Sequence, residues 1–195
     1  MIVWINGAFG SGKTQTANEL VRRLDGAFLY DPENVGYWLR KNEPRKLAAE
    51  NFQDEPLWRS MNRDMLLHLW EHFDGDIIVP MTLIREDYYD EIIGGLRRRG
   101  VEVQHFVLCA RAETIRRRLR GRFEGKNSWA ARQLAACLSA FEGPAFENKI
   151  QTDAMSIPEA AEAVAARAGL VLKPRLGPVR QLCAQLTTQL CAIRD

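Results

Sequence analysis

The chain has few of the side chains that build metal centres and disulfide frameworks. Its 195 residues hold three histidines and four cysteines. Cys109, Cys137, Cys183 and Cys191 form no C-x-x-C pair, and three of them sit in apolar stripes, so buried free thiols in a reducing compartment are expected. His68 and His72 are four residues apart, but no H-E-x-x-H string surrounds them, so a structural role is expected and no zinc site is suggested. No apolar stretch approaches the span of a bilayer. The first strand starts at the N-terminus without a signal peptide, so a cytoplasmic chain is expected. A net charge of +2 excludes bulk attraction to nucleic acid. A guanine-nucleotide switch needs N-K-x-D after a late strand. Asn148-Lys149-Ile150-Gln151 has glutamine where the base-reading carboxylate belongs. The apolar run at Val79 ends in Pro80-Met81-Thr82, not in the acidic pair of many ATP-hydrolysing motors.

What is present is a phosphate loop. Gly7-Ala8-Phe9-Gly10-Ser11-Gly12-Lys13-Thr14 matches G-x-x-x-x-G-K-[ST]. The apolar run from Met1 to Ile5 precedes it as a buried strand. Ala17, Leu20, Val21 and Leu24 follow it at helical spacing. Strand, glycine loop and helix therefore occur in the order that turns amide groups and a helix N-terminus toward phosphate oxygens. Lys13 is expected to meet the β- and γ-phosphates of ATP, and Thr14 to offer its hydroxyl to Mg²⁺.

Beyond the loop, strand-like and helix-like segments alternate. Ala27–Tyr30, Ile77–Val79, Val101–Ala110 and Lys149–Thr152 read as four further strands. Stripes at Trp58, Met61, Met65, Leu69 and at Leu134, Cys137, Leu138, Phe141 read as helices. Ser156 and Glu159 form a capping box. The alternation predicts an α/β fold: a parallel five-stranded sheet between two helical layers, with ligands outside the carboxyl ends of the strands. The Pro- and Gly-containing stretch 173–178 is the only linker-like segment. After it, Val179, Leu182, Leu186, Leu190 and Ile193 stripe a terminal helix. Packing on the domain is the ordinary use of such a stripe, and docking on a membrane surface the sharper one.

Two features select a reaction among phosphate-loop proteins. Asp31 falls where the second strand stops, beside the loop. It suits proton acceptance from a hydroxyl, water-mediated Mg²⁺ binding, and capping of the helix that begins at Pro32. Residues 111–126 carry seven basic side chains against Glu113 and Glu124. Arg118 and Arg122 share one helix face with no acidic neighbour at i ± 4, so a polyanion between them would relieve their repulsion. That is the pattern of a lid over ATP. The bland reading is a solvated basic face. The segment is short and lacks an aromatic ladder, so nucleic acid is not its expected ligand. A small-molecule kinase fits these features best.

Trp4–Thr16, Tyr30-Asp31-Pro32-Glu33, Pro56–Arg59, Val79–Thr82, Glu124–Ala130 and Ile150–Asp153 together resemble the bacterial tunicamycin-resistance protein family. The resemblance spans nearly the whole chain, the last twenty residues least. It implies a nucleotide-kinase-like fold with a nucleoside-kinase-like ATP site at Gly7–Thr14 and a lid arginine at Arg118 or Arg122. It also implies resistance to tunicamycin, a nucleoside antibiotic bearing sugars and an acyl chain, and peripheral membrane contact through the C-terminal helix. The expected organisation is a kinase-like domain over 1–178, with a lid near 116–129, and a C-terminal amphipathic helix over 179–195. Lys13, Asp31, Arg118 and Arg122 are the candidate catalytic residues, and Thr14 and Asp31 the candidate Mg²⁺ ligands. The acceptor is expected to be tunicamycin or a nucleoside or uridine-diphosphate sugar. Trp38, Trp58, Tyr88 and Tyr89 are candidates to line its site. A non-catalytic protein that captures the drug with ATP is the alternative.

Overall fold

A computed structural model describes residues 1–121 and 129–192. Five parallel strands form one sheet: β1 Ile2–Gly7, β2 Phe28–Leu29, β3 Ile77–Pro80, β4 Val103–Cys109 and β5 Lys149–Gln151, in the order β2-β3-β1-β4-β5. β1 is central, with Trp4 facing Val79 of β3 and His105 of β4. All six of its residues are buried, as a strand covered by helices on both faces requires: the apolar run 2–5 is followed by Asn6 and Gly7.

The strand period of two sorts β1 between two cores. Val3 and Ile5 pack with Leu20 of α1 (Lys13–Arg23) and Val164 of α8 (Ile157–Ala168). Ile2 and Trp4 pack on the other face with Trp58 and Leu66 of α3 (Pro56–His72), and with Ile92 and Leu96. Those last two lie in a helical stretch made of α4 (Glu86–Tyr89), a wider π turn (Asp90–Gly94) and α5 (Gly95–Arg98). A third cluster joins Val107 to Ile115 and Leu119 of α6 (Ala112–Arg120) and to Leu134, Cys137 and Phe141 of α7 (Trp129–Ala140). The expected α/β/α layering and the capping box at Ser156 are both present. The remaining helices are α2 (Glu33–Asn42) and α9 (Pro178–Ala192).

Three expectations from periodicity fail. In α3 the buried row is Trp58, Asn62 and Leu66, while Met65 is exposed. Asn62 is drawn inward because it accepts from the Tyr30 hydroxyl at 2.8 Å and donates to the Trp58 carbonyl at 2.8 Å. In α9, Val179, Leu182 and Leu186 are 75%, 58% and 49% exposed, so the described part of the stripe faces solvent and not the domain. Cys183 is exposed on the same helix, against its expected burial, whereas Cys137 is buried. His68 and His72 stack on each other at 4.5 Å. Among the described residues no cluster of metal-ligating side chains occurs, and no helix is long and apolar enough to cross a membrane.

Candidate functional site

The phosphate loop leaves β1 and enters α1 at the carboxyl edge of the sheet. Gly7 adopts φ +144°, and a Cβ there would lie 2.6 Å from the Leu108 carbonyl oxygen and from Ser11 Oγ. Only glycine fits so close a crossing. Gly12 caps α1 at φ +104°, in the left-handed region. The first intrahelical bond runs from Thr16 N–H to the Gly12 carbonyl, so the amides ahead of it lie at the positive end of the helix dipole. Lys13 is buried. Its ammonium donates to the Ala8 carbonyl at 3.2 Å and sits 5.3 Å from the Phe9 ring centroid. Ser11 Oγ is buried without a partner among the described residues. A glycine-lined cradle, a lysine folded back into it and an orphaned hydroxyl together fit a bound polyphosphate.

Asn6 holds the base of this loop. Its Oδ1 accepts from Gly7 N–H at 2.8 Å and from Leu83 N–H at 2.9 Å. Its Nδ2 donates to the Leu83 carbonyl at 2.8 Å and meets His105 Nε2 at 3.2 Å. Burial holds His105 down at about 3, so the ring is neutral and accepts that bond. Thr82 adds a bond from its hydroxyl to the Gly7 carbonyl at 2.9 Å. Gln53 Nε2 donates to the Thr82 carbonyl at 2.8 Å, and Arg59 Nη1 to the Gln53 carbonyl at 2.7 Å. A chain of buried bonds thus runs from the phosphate loop to α3. The sequence reading missed Asn6 and Gln53. A polar residue between the apolar run 2–5 and the first loop glycine was the available signal for Asn6, since a buried amide requires partners. Gln53 carried none.

Asp31 follows β2. Its Oδ1 accepts from Glu33 N–H at 3.0 Å, capping α2 as expected. Burial pushes its carboxyl up to about 6, the nearby Glu33 charge adds to the rise, and the Glu33 amide and the Lys13 ammonium oppose it. The carboxyl and the loop lysine therefore share one electrostatic field. Trp58 Nε1 donates to the Pro32 carbonyl at 3.0 Å and fixes α3 to the same turn. Trp58 and Tyr88 are core residues, Tyr89 is partly buried and packs on that core, and Trp38 is exposed.

Arg118 reaches the loop from α6. Nη1 donates to the Ser11 carbonyl at 3.1 Å and to Thr152 Oγ1 at 3.2 Å, and Nη2 to the Thr152 carbonyl at 2.6 Å. Arg118 thus finds oxygen partners across the fold, so local charge repulsion did not require a polyanion. Asp153 next to Thr152 accepts from Arg111 N–H at 3.0 Å and from the Thr114 hydroxyl at 2.7 Å, holding the start of α6. Arg122 and most of the expected lid, including the Glu124–Ser128 part of the resembling stretch, lie outside the described residues. Lys13, Asp31, Arg118 and Gly7–Thr14 are gathered at one end of the sheet.

Comparison with known proteins agrees with this geometry. Residues 2–144 match the model of the family described as AAA domain. The tunicamycin resistance protein of Deinococcus radiodurans is similar over its whole length. Identity is 34%, 89% of this chain and 98% of that chain are covered, and the TM-score is 0.78. A gluconokinase from Sinorhizobium meliloti shares the fold at 15% identity and TM-score 0.58, covering 86% of this chain and 93% of that one. A shikimate kinase from Bacteroides thetaiotaomicron does so at 18% identity and TM-score 0.55, covering 87% and 99%. No curated protein matches the chain.

Proposed function

The chain belongs to the tunicamycin-resistance family, within the AAA domain family of nucleotide-binding, kinase-like fold, and on that premise we propose that it is an ATP-dependent small-molecule phosphotransferase. The observation that carries this reading is the glycine-lined cradle with Lys13 folded into it, at the same end of the sheet as the Asp31 carboxyl that burial pushes up to about 6. A base works best when its proton affinity lies near the working pH. Asp31 takes the proton of an acceptor hydroxyl as that oxygen attacks the γ-phosphorus of ATP. The bond from the γ-phosphorus to the bridging oxygen breaks, and ADP leaves. Lys13 and the loop amides hold the phosphates. The Thr14 hydroxyl, with Asp31 through water, would hold Mg²⁺, which supplies charge neutralisation between the β- and γ-phosphates. The solved relative is named for tunicamycin resistance. The proposed acceptor is accordingly tunicamycin, or a nucleoside or uridine-diphosphate sugar that it resembles.

One observation favours a second reading, capture of the drug without chemistry. The guanidinium of Arg118 is engaged by Ser11 and Thr152 oxygens. Incubation with ATP, Mg²⁺ and tunicamycin or uridine-diphosphate sugars, followed by mass spectrometry, separates the two. An acceptor heavier by one phosphoryl group supports transfer. Unmodified drug retained only with ATP supports capture, and neither result refutes both.

Asp31→Asn sharpens the test. The carboxyl titrates at about 6 in the fold and at its ordinary 3.8 when unfolded, so ionising it costs the folded state above that window. The asparagine variant melts higher than wild type above pH 6. The gain fades as the pH falls through about 6 toward 3.8, where both states hold the proton. Transfer is lost while ATP binding persists.

A further inference from the structure

The turn Asp31-Pro32-Glu33 brings two carboxylates together where α2 begins, and the helix holds both. Glu33 N–H donates to Asp31 Oδ1 at 3.0 Å. The Tyr37 hydroxyl, one helical turn on, donates to Glu33 Oε2 at 3.2 Å. Tyr37 is itself fixed by packing. Its ring meets Phe52 edge-on with centroids 6.4 Å apart, and Phe52 leans on Trp58 at 5.4 Å. Phe52 comes so close to α2 that a Cβ at Gly36 would lie 2.6 Å from its ring. Trp58 closes the circuit through its bond to the Pro32 carbonyl. The three polar groups also share one field. Burial and then the Glu33 charge raise the Asp31 carboxyl, while burial, Glu33 and Asp31 push the Tyr37 hydroxyl up to about 12. That hydroxyl therefore stays protonated and serves as a donor.

Two like charges held beside a phosphate loop set a condition on what enters there. An ionised carboxylate only accepts hydrogen bonds, so neighbouring hydroxyls of a sugar-like group suit the pair. A phosphate brings more acceptors and more negative charge, and the pair repels it. The arginines that the aromatic wall brings in are engaged already. Arg40 donates to the Glu50 carbonyl at 2.8 Å and stands 5.4 Å over the Phe52 ring. Arg59, next to Trp58, pairs with Glu91 at 2.5 Å. Lys13 opposes the carboxylates, but it belongs to the loop that takes the ATP phosphates.

We propose that Glu33 joins Asp31 in binding the acceptor, aimed by Tyr37, and that the pair selects an uncharged polyhydroxyl compound over one that carries phosphate. This rests on the phosphotransferase reading of the site. Asp31 meets the reacting hydroxyl, Glu33 holds a neighbouring one, and Tyr37 is a positioning residue that keeps Glu33 in place. Among the acceptors named above, tunicamycin and free nucleosides meet the condition, and uridine-diphosphate sugars do not.

Calorimetry on the full chain with ADP and Mg²⁺ bound compares tunicamycin with uridine-diphosphate N-acetylglucosamine, so the readout needs no phosphoryl transfer. Tunicamycin is expected to bind at least about tenfold more tightly. Glu33→Gln keeps an oxygen for the Tyr37 hydroxyl and removes the charge. It is expected to narrow the preference about tenfold, a change that the acyl chain of the drug cannot produce because both proteins meet the same two compounds. Tyr37→Phe keeps the ring against Phe52 and is expected to weaken tunicamycin binding about fivefold, the loss of one hydrogen bond, at unchanged ATP affinity. Equal binding of the two compounds overturns the proposal, as does a preference that Glu33→Gln leaves intact. Full tunicamycin affinity in Tyr37→Phe, or binding of neither compound, overturns it as well. A preserved preference in a protein that transfers no phosphoryl group refutes the phosphotransferase reading and leaves the selectivity standing.

Discussion

The two ends of α1 are held in opposite ways. At its N-terminus the phosphate loop backbone is fastened by hydrogen bonds from Asn6, Thr82 and Arg118 and turns into the helix through the left-handed Gly12. Along its flank α9 is attached through two glutamine amides. The carbonyl oxygens of Gln15 and Gln181 are left buried without partners among the described residues. Each such orphan costs about 1–3 kcal/mol, enough to offset most of what the neighbouring bond contributes. A glycine string and an apolar stripe look equally clear in a sequence. The difference is that the loop is held by groups from β1, the turn after β3 and α6, whereas the hydrogen bonds of α9 to the rest of the described chain go to α1.

That contrast can be broken at either end. The largest effect is expected from Asn6→Ala. It orphans the Gly7 and Leu83 amides and the Leu83 carbonyl, and it removes the donor facing His105. The loss is about 3 kcal/mol or more of stability by denaturant titration. A loss below ~1 kcal/mol would show that the loop is not held through this residue. Lys13→Ala comes next. It removes the one buried ammonium of the loop and is expected to weaken ATP binding about 100-fold by calorimetry, ~2.7 kcal/mol, with little change in melting temperature. Equal binding by both proteins would remove the phosphate site from this loop. The smallest effect belongs to the other region. Ending the chain at Gly177 deletes α9 and is expected to change stability by less than ~1 kcal/mol and ATP affinity not at all. A large loss there would mean that the two glutamine contacts hold more than their geometry indicates.

The strands at 2–7, 77–80 and 103–109 were legible because buried parallel strands are short apolar runs bounded by turns, and the edge strands at 28–29 and 149–151 because they fall between helical stretches. The loop was legible because phosphate contact demands glycine and lysine at set spacing. Legibility failed where a tertiary bond outweighed a local pattern. Asn62 displaced Met65 from the buried row of α3 because Tyr30, thirty-two residues away, supplies its donor. Arg118 was readable as an unpaired cation only within its helix, since its partners Ser11 and Thr152 arrive from two other parts of the chain.

From the residues alone came the phosphate loop, which rests on spacing within one segment, the order of elements and the parallel sheet, which rest on the alternation of short patterns along the chain, and the family, which rests on a resemblance in six stretches. The folded chain alone decided that Asn6 bolts the loop to the turn after β3 and that burial raises the Asp31 carboxyl. It alone turned the apolar side of α9 outward. Those outcomes depend on which distant groups meet in space and how much water they exclude, and a string of residues records neither.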